Sequence, residues 1–168
     1  MRADFGSFDG RDRRREVRMS PAEIDEFLRT CTNQMVLVTG NPDGSFHAVP
    51  MGYGYMGGHI YMKSKLRAQK VTNLRRNPRA TCMVCDGTQY DELRGVQVKG
   101  EMQVVDDPVV TRAVTLDTMC RHDPTFVLDE AGQELVSRLS AGYVALRLDA
   151  SSMLGWDHRK LGAGPPGG

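Results

Sequence analysis

Apolar residues recur along the chain at two different spacings, which together predict a fold that contains both helices and strands. The segment SPAE at residues 20–23 carries the signals of a helix start: a serine N-cap, a proline at the first position and a glutamate that closes a capping box. Three apolar residues follow at helical spacing: Ile24, Phe27 and Leu28. A helix is therefore predicted over residues 21–31.

Runs of apolar or alternating residues predict about six strands. They cover residues 34–39, 45–55, 59–64, 80–85, 93–105 and 143–148. Pro50 indicates that the second strand lies at a sheet edge or a bulge, and Gly52 and Gly54 allow another group to approach its backbone closely. Tight turns at residues 41–44 and 57–58 predict that the first three strands form a meander.

The remaining helices lie between the strands. One is predicted from Pro108 to about Cys120, preceded by two acidic residues that suit a helix N-terminus, and a weaker one covers residues 128–139. Because strict alternation of strand and helix is missing, the pattern predicts an α+β fold around a small β-barrel and not a doubly wound sheet.

Length and composition set the limits of this fold. A chain of 168 residues fits one domain, which we predict over residues 19–162, after a disordered segment (1–18) and before a flexible Gly/Pro tail (163–168). We find neither the apolar core of a signal peptide nor an apolar run long enough to span a bilayer. We therefore expect a cytoplasmic protein.

Positive charge is concentrated in residues 59–79 (HIYMKSKLRAQKVTNLRRNPR), although the formal net charge is only +1. This segment predicts a strand followed by a helix over residues 67–77, which should end before Pro78. A strand-to-helix turn presents free backbone N–H groups and the positive end of the helix dipole. Four residues cluster at this turn and form a candidate phosphate site: Ser64, Lys65, Arg67 and Lys70. A solvated helix face is the alternative, and it fits Arg75, Arg76 and Arg79.

Cys82 and Cys85 form a C-x-x-C pattern of the kind found in zinc and redox sites. The surrounding sequence predicts a strand, in which residues i and i+3 point to opposite faces. We therefore interpret the two cysteines as ordinary strand residues, and we predict no metal site.

Four segments, in this order, resemble the pyridoxamine 5'-phosphate oxidase-like split-barrel flavoproteins, and in particular the flavin/deazaflavin oxidoreductases that use coenzyme F-420. They are the PDG turn before HxVP (42–50), KSxxxxQKxxNLRRxPR (63–79), DGxxYDxLRGV (86–96) and WDHRKL (156–161). The resemblance implies an FMN-binding-type split β-barrel. It also implies a homodimer that binds its cofactor between the two barrels.

The resemblance further implies a set of cofactor-binding residues. Phosphate contacts would come from Lys63, Ser64, Arg67, Gln69 and Lys70, ring contacts from Val49, Pro50 and Met51, and further contacts from Trp156 and Lys160. Ala68 departs from the pattern, because relatives often carry serine two residues before the helix lysine. His158 is the candidate proton donor, since an imidazole titrates near neutral pH.

The function implied is an oxidoreductase that transfers a hydride between bound F-420 and a small organic substrate. Two alternatives stay open: an FMN-dependent oxidase or reductase of the same fold, and a non-catalytic flavin- or haem-binding protein. The WDHRK segment also has a structural interpretation, in which Trp156 fills a groove and Asp157 pairs with a base. Nucleic-acid binding is disfavoured, because Tyr61 is the only aromatic residue among the bases of the basic segment.

Overall fold

A computed structural model describes residues 13–162, so the predictions for residues 1–12 and for the tail at 163–168 lie outside it. Its helices are α1 (Arg13–Glu16), α2 (Pro21–Thr30), α3 (Gln69–Arg76), α4 (Pro108–His122) and α5 (Glu130–Ser140). Its strands are β1 (Met35–Gly40), β2 (Phe46–Met51), β3 (Tyr53–Met56), β4 (His59–Lys65), β5 (Arg79–Asp86), β6 (Arg94–Val105) and β7 (Tyr143–Asp157). A 3-10 turn, His158–Leu161, follows β7.

The strands form one curled antiparallel sheet in the order β2-β1-β5-β6-β7-β4-β3. The predicted α+β class with a small antiparallel β-barrel is therefore confirmed, and the sheet has seven strands where about six were predicted. A β-bulge between Lys99 and Gly100 shifts the register of the β6–β7 pair. Since bulges bend a strand and increase its twist, this one contributes to the curl of the sheet.

The predicted meander of three strands is wrong. Residues 45–55 are not one strand, because Gly52 separates β2 from β3, and these two strands lie at opposite edges of the sheet. Contacts with another element determine where the strand breaks. The Tyr53 hydroxyl donates to the carbonyl oxygens of Leu28 (2.9 Å) and Cys31 (3.1 Å), which holds β3 beneath the end of α2. The edge position expected from Pro50 is confirmed, since β2 pairs on one side only.

Two predicted boundaries at the ends of the chain are also corrected. The last strand extends to Asp157 instead of ending at residue 148, because β7 pairs with β6 on both sides of the bulge. Residues 13–18, expected to be disordered, are held against the end of β7. The backbone N–H of Asp157 donates to the carbonyl oxygen of Val17 (2.8 Å), and that of Met19 donates to Gly155 (3.0 Å).

The inner face of the curled sheet carries the core. Its most buried side chains include Met35, Leu37, Tyr53, Met62, Val96, Val98, Leu146 and Leu148. Helices α2 and α3 pack on this face through Ile24, Phe27, Leu28, Val71 and Leu74, as their spacing predicts. The predicted capping box of α2 is present, with Glu23 N–H donating to Ser20 Oγ and Ser20 N–H donating to Glu23 Oε2.

The two cysteines of the C-x-x-C pattern point to opposite faces, as predicted. Cys82 is buried in the core and Cys85 is exposed. Burial raises the pKa of the Cys82 thiol to about 12, so this thiol stays protonated and inert. Within the part of the chain that the structure describes, no cluster of three or more His, Cys, Asp or Glu residues is arranged to hold a metal ion.

The outer face of the sheet is only half covered. Helices α4 and α5 pack over β3, β4 and the start of β7, where Val114, Val136 and Ala145 are buried. The outer face of β2, β1, β5, β6 and the end of β7 has no helix over it among the described residues. Within residues 13–162 there is no helix with both the length and the apolar content needed to cross a membrane.

Candidate functional site

The strand-to-helix turn between β4 and α3 ends in a helix N-terminus that lacks a side-chain cap. Ala68 N–H donates to the Lys65 carbonyl oxygen at 3.0 Å and closes the turn. Ala68 is the N-cap residue, and its methyl group accepts no hydrogen bond, whereas a serine or aspartate side chain caps α2, α4 and α5. The backbone N–H groups of Gln69 and Lys70 consequently have no acceptor within residues 13–162.

Two cationic side chains lie beside this N-terminus, and neither has a counter-ion among the described residues. Arg67 is exposed and Lys70 is half-buried, and neither forms an ion pair with another described residue. The first turn of α3 contains no acidic residue. Burial lowers the pKa of Lys70, because an ammonium group loses hydration there without gaining a counter-ion. The turn therefore offers free donors and uncompensated positive charge to an anion, which is the chemistry of a phosphate site.

The structure does not bring all five predicted phosphate ligands together. Lys63 and Ser64 are consecutive strand residues and point to opposite faces of β4. Ser64 is buried on the inner face, at 2% exposure. Lys63 lies on the outer face, where its ammonium group donates to the Leu139 carbonyl oxygen at 2.9 Å and sits over the Tyr143 ring. In this arrangement Lys63 caps the end of α5 and does not reach the turn.

At Gln69 the backbone N–H is free to bind an anion, whereas the side-chain amide is already engaged within α3. The side-chain amide donates to Asn73 Oδ1 at 3.0 Å. Asn73 in turn donates to Thr39 Oγ1 (3.1 Å) and Asn41 Oδ1 (2.8 Å), which fixes α3 against the end of β1. Sequence reasoning missed Asn73; the available signal was a polar residue on the buried stripe of α3, between Val71 and Leu74.

The three residues predicted to contact the cofactor ring lie on edge strand β2. Strand alternation divides them: Val49 and Met51 are half-buried on the inner face, and Pro50 is exposed on the outer face. Gly52 and Gly54 follow β2, and the structure shows which group approaches their backbone. A Cβ atom at Gly52 would lie 3.1 Å from Thr118 Cγ2, and one at Gly54 would lie 2.7 Å from Asp117 Oδ2. The group that approaches their backbone closely is thus helix α4, and these glycines give no support for a cofactor ring.

The C-terminal WDHRK segment forms the clamp that its structural interpretation describes. The Trp156 ring lies across Gly95, where a Cβ would meet Trp156 Cζ2 at 2.5 Å. Asp157 pairs with Arg159 at 2.6 Å, and the guanidinium hydrogen bonds lower the pKa of the Asp157 carboxyl.

The other two predicted residues of this segment also have protein partners. Lys160 binds the Glu23 carboxylate at 2.7 Å and donates to the Arg18 carbonyl oxygen at 2.9 Å. The Nδ1 atom of His158 contacts the Tyr90 carbonyl oxygen at 2.8 Å. These contacts join the end of β7 to the N-terminal segment and to the loop at residues 87–93, and they hold both side chains in place in the free protein.

Comparison with known proteins agrees with this fold. The pyridoxamine 5'-phosphate oxidase family model matches residues 20–156. A conserved hypothetical protein of Mycobacterium tuberculosis is 32% identical, with 94% of this chain and 97% of that chain covered and a TM-score of 0.82. No curated protein sequence matches the chain.

More distant solved structures share the fold. A protein described as an F420 reductase is 23% identical, with 76% of this chain and 94% of that chain covered and a TM-score of 0.58. A FAD-binding protein of Mesorhizobium loti is 22% identical, with 82% and 94% covered and a TM-score of 0.61. With a family model that spans most of the chain, this protein belongs to the pyridoxamine 5'-phosphate oxidase-like family of split-barrel flavin-binding proteins.

Proposed function

We propose that this protein is an oxidoreductase that transfers a hydride between bound coenzyme F-420 and a small organic substrate. The observation that carries the proposal is the uncapped N-terminus of α3, where Ala68 leaves two backbone N–H groups free beside Arg67 and Lys70. Membership of the pyridoxamine 5'-phosphate oxidase-like family supports a flavin-type cofactor. A protein described as an F420 reductase shares the fold, which supports a deazaflavin cofactor.

The turn fits the phosphate group that FMN and F-420 have in common. The N–H groups of Gln69 and Lys70 would donate to phosphate oxygens, and Arg67 and Lys70 would neutralise the charge. The low hydration of Lys70 strengthens such a contact, because a half-buried ammonium gains more from a counter-ion than an exposed one does. The cofactor, when bound, supplies the hydride chemistry. The residues of this chain bind and orient it.

Exposed bases near the turn favour the more anionic cofactor of the two. Lys65 and Arg75 are exposed and have no ion pair among the described residues, so they remain available to a carboxylate-rich tail. Arg76 is less available, because its guanidinium donates to the Gly40 carbonyl oxygen. The FMN-dependent enzyme is the alternative that the same turn allows.

We also propose that the active form is a homodimer with the cofactor between two barrels. The described residues of one chain leave the α3 N-terminus, the outer face of β2 and the Trp156 side of β7 uncovered. A second copy would exclude water from a cofactor that one small barrel encloses on one side only.

Cofactor titration tests the proposal. The purified protein is titrated separately with F-420 and FMN, and binding is followed by the quenching of Trp156, the single tryptophan of the chain. We expect saturable binding with tighter affinity for F-420, and oxidation of reduced F-420 in the presence of an electron acceptor. Tighter binding of FMN would favour the alternative enzyme, and binding without turnover would favour a carrier. The absence of binding to both cofactors would overturn both enzymes.

A further inference from the structure

Asn73 is a buried amide in the middle of α3, with 1% of its surface exposed. Both of its amide hydrogens are used, because Nδ2 lies 3.1 Å from Thr39 Oγ1 and 2.8 Å from Asn41 Oδ1. Its side-chain oxygen accepts a hydrogen bond from Gln69 Nε2 at 3.0 Å. A leucine of similar size would be buried here without needing polar partners. What the asparagine adds is direction, since these bonds fix how α3 lies on the sheet.

The bonds of Asn73 join parts of the sheet that are far apart in strand order. Helix α3 follows β4, the sixth strand across the sheet, whereas Thr39 and Asn41 lie at and just after the end of β1, the second strand. The chain itself connects α3 only to β4 and β5. Asn73 ties α3 to the end of β1 together with Arg76, whose guanidinium donates to the Gly40 carbonyl oxygen. The direction of α3 across the inner face therefore depends on Asn73.

The hydrogen-bond network continues from Asn41 to β2. Asn41 Nδ2 donates to Ser45 Oγ at 3.0 Å, and the Asn41 backbone N–H donates to the Ser45 carbonyl oxygen at 2.8 Å. Ser45 directly precedes β2, the edge strand that carries Val49, Pro50 and Met51. Hydrogen bonds therefore connect the first turn of α3, where a phosphate would bind, to the strand predicted to contact the cofactor ring.

Gln69 links this network to the free donors of α3. Asn73 holds its side chain, and its backbone N–H is one of the two donors that have no acceptor within residues 13–162. Hydrogen bonds weaken steeply when the donor angle departs from the optimum. Because no side chain caps the helix at Ala68, its first turn is oriented by the backbone bond to Lys65, by apolar packing and by Asn73. A rotation of α3 would turn the N–H groups away from a phosphate.

We infer that Asn73 is a positioning residue for the phosphate group of the cofactor. Through Gln69 it aims the N–H groups of the first turn, and through Asn41 it fixes the distance from this turn to β2. The inference rests on the proposed function and names a residue that sets the selectivity for a phosphorylated cofactor without touching it. Loss of Asn73 lowers the preference for a phosphorylated over a non-phosphorylated flavin, and an anion bound at α3 stabilises the β1–β2 turn at residues 41–45.

A comparison of ligands with and without phosphate separates positioning from general destabilisation. The wild type and its variants are titrated with FMN and riboflavin, and in parallel with F-420 and the deazaflavin riboside that lacks the phosphate-bearing tail. We expect the wild type to bind the phosphorylated member of its preferred pair at least about tenfold more tightly, the scale of charge-assisted hydrogen bonds. In Asn73→Leu this ratio should fall at least about fivefold, because the phosphate loses aligned donors while the ring contacts remain.

Two further variants keep the test independent of the folding of Asn73→Leu. Asn41→Ala cuts the network in the β1–β2 turn and should lower the same ratio. Thr115→Val is the matched control, since its buried hydroxyl donates to the Thr111 carbonyl oxygen at 2.9 Å within α4, away from α3. This control should keep the wild-type ratio. A wild type without preference for the phosphorylated ligand, a wild-type ratio in Asn73→Leu or Asn41→Ala, or an equal fall in Thr115→Val would overturn the inference.

Amide hydrogen exchange with inorganic phosphate tests the coupling without a cofactor. At constant ionic strength, phosphate should slow exchange in residues 69–72 of the wild type and also in residues 41–45, whose N–H groups close the β1–β2 turn. In Asn73→Leu the effect on residues 41–45 should disappear. Protection that does not reach residues 41–45 of the wild type would overturn the inference.

The same measurements separate the two proposals. Coupled protection by phosphate in a protein that binds neither F-420 nor FMN contradicts the proposed function and leaves the role of Asn73 standing. Cofactor binding and turnover with a wild-type ratio in Asn73→Leu contradict the role of Asn73 alone.

Discussion

His158 Nδ1 lies 2.8 Å from the carbonyl oxygen of Tyr90, and the two rings are in contact with their centroids 4.6 Å apart and their planes tilted by 56°. A carbonyl oxygen only accepts hydrogen bonds, so Nδ1 carries the proton and donates. The backbone N–H of His158 also donates to the Leu93 carbonyl oxygen at 2.8 Å. His158 therefore fastens the loop at residues 87–93 to the end of β7, and Nε2 is the nitrogen left for proton transfer.

Substitutions at His158 distinguish two roles of this residue: holding the loop at residues 87–93 against the end of β7, and donating a proton. In His158→Asn, the side-chain amide keeps a donor near the position of Nδ1, whereas His158→Ala removes it. We expect amide hydrogen exchange in residues 88–93 to become about five- to tenfold faster in His158→Ala, the effect of about 1 kcal/mol, and to change less in His158→Asn. Turnover that is lost in both variants would assign a proton to Nε2. If residues 88–93 of His158→Ala exchange their amide hydrogens at the wild-type rate, the hydrogen bond from His158 to Tyr90 does not stabilise the loop.

The phosphate site predicts a local loss of cofactor affinity. Arg67→Ala or Lys70→Ala should weaken binding of F-420 or FMN by about 1–3 kcal/mol, the scale of a lost charge-assisted hydrogen bond. Arg138→Ala is the matched control, since Arg138 is an exposed base in the last turn of a different helix, α5. Titration of the four proteins measures the difference. Equal affinities for Arg67→Ala, Lys70→Ala and the wild type would move the phosphate elsewhere.

Ala68 predicts that α3 can be stabilised by a single hydroxyl group. Its backbone angles, φ −71° and ψ 148°, are those of an N-cap residue, so serine fits without rearrangement. Ala68→Ser should raise the free energy of unfolding of the cofactor-free protein by about 0.5–2 kcal/mol, measured by urea denaturation. The reciprocal change Ser20→Ala, at the capped helix α2, should lower it by a similar amount. A serine at position 68 that leaves the stability unchanged would mean that another group already satisfies the α3 N-terminus.

Features that depend on residues close together in the sequence are predicted correctly. Helix α2 follows from its capping box and apolar stripe, and the opposite faces of Cys82 and Cys85 follow from strand alternation. The break at Gly52 was not predictable in this way, because it depends on Tyr53 reaching the carbonyl groups at the end of α2.

The same limit applies to the candidate site. The basic segment and its strand-to-helix turn are visible in the sequence, and so is the missing hydroxyl at Ala68. The motif places Lys63 beside Ser64 in the sequence, yet a strand turns neighbouring side chains to opposite faces, and the partner of Lys63 comes from α5. A motif gives the order of residues along the chain, whereas the contacts of its side chains depend on helices that are distant in sequence.

The close contact between Gly54 and Asp117 allows a steric test of how α4 packs on β3. Asp117 Oδ2 accepts a hydrogen bond from the Tyr55 backbone N–H at 3.0 Å, which satisfies a donor on edge strand β3. The methyl group of Gly54→Ala would displace this carboxylate. We expect a loss of about 1–3 kcal/mol in the free energy of unfolding, since a part-buried N–H loses its acceptor. Gly40→Ala is the control, because its methyl group meets nothing, and it should change stability by less than about 1 kcal/mol. Equal stability of the two variants would show that Asp117 adapts freely.

The Asp157–Arg159 ion pair predicts a defined dependence of stability on pH. The Arg159 guanidinium lowers the pKa of the buried Asp157 carboxyl below its value in the unfolded chain. The native state therefore releases this proton more readily, and the pair stabilises the fold at any pH above the unfolded pKa of about 3.9. This stabilisation is lost as the pH falls through the lower, folded pKa. Because Arg159 is 55% exposed, we expect only about 1 kcal/mol.

Urea unfolding of Asp157→Asn from pH 7 to pH 3 measures this contribution. The variant should be about 1 kcal/mol less stable than the wild type at pH 7. The difference should shrink as the pH falls below about 4, because the unfolded wild-type chain then takes up a proton at Asp157 more readily than the native state does. Asp91→Asn is the control, since Asp91 is exposed and has no ion pair among the described residues. A difference between Asp157→Asn and the wild type that stays constant down to pH 3 would assign the effect to packing or hydrogen bonding and not to the charge of Asp157.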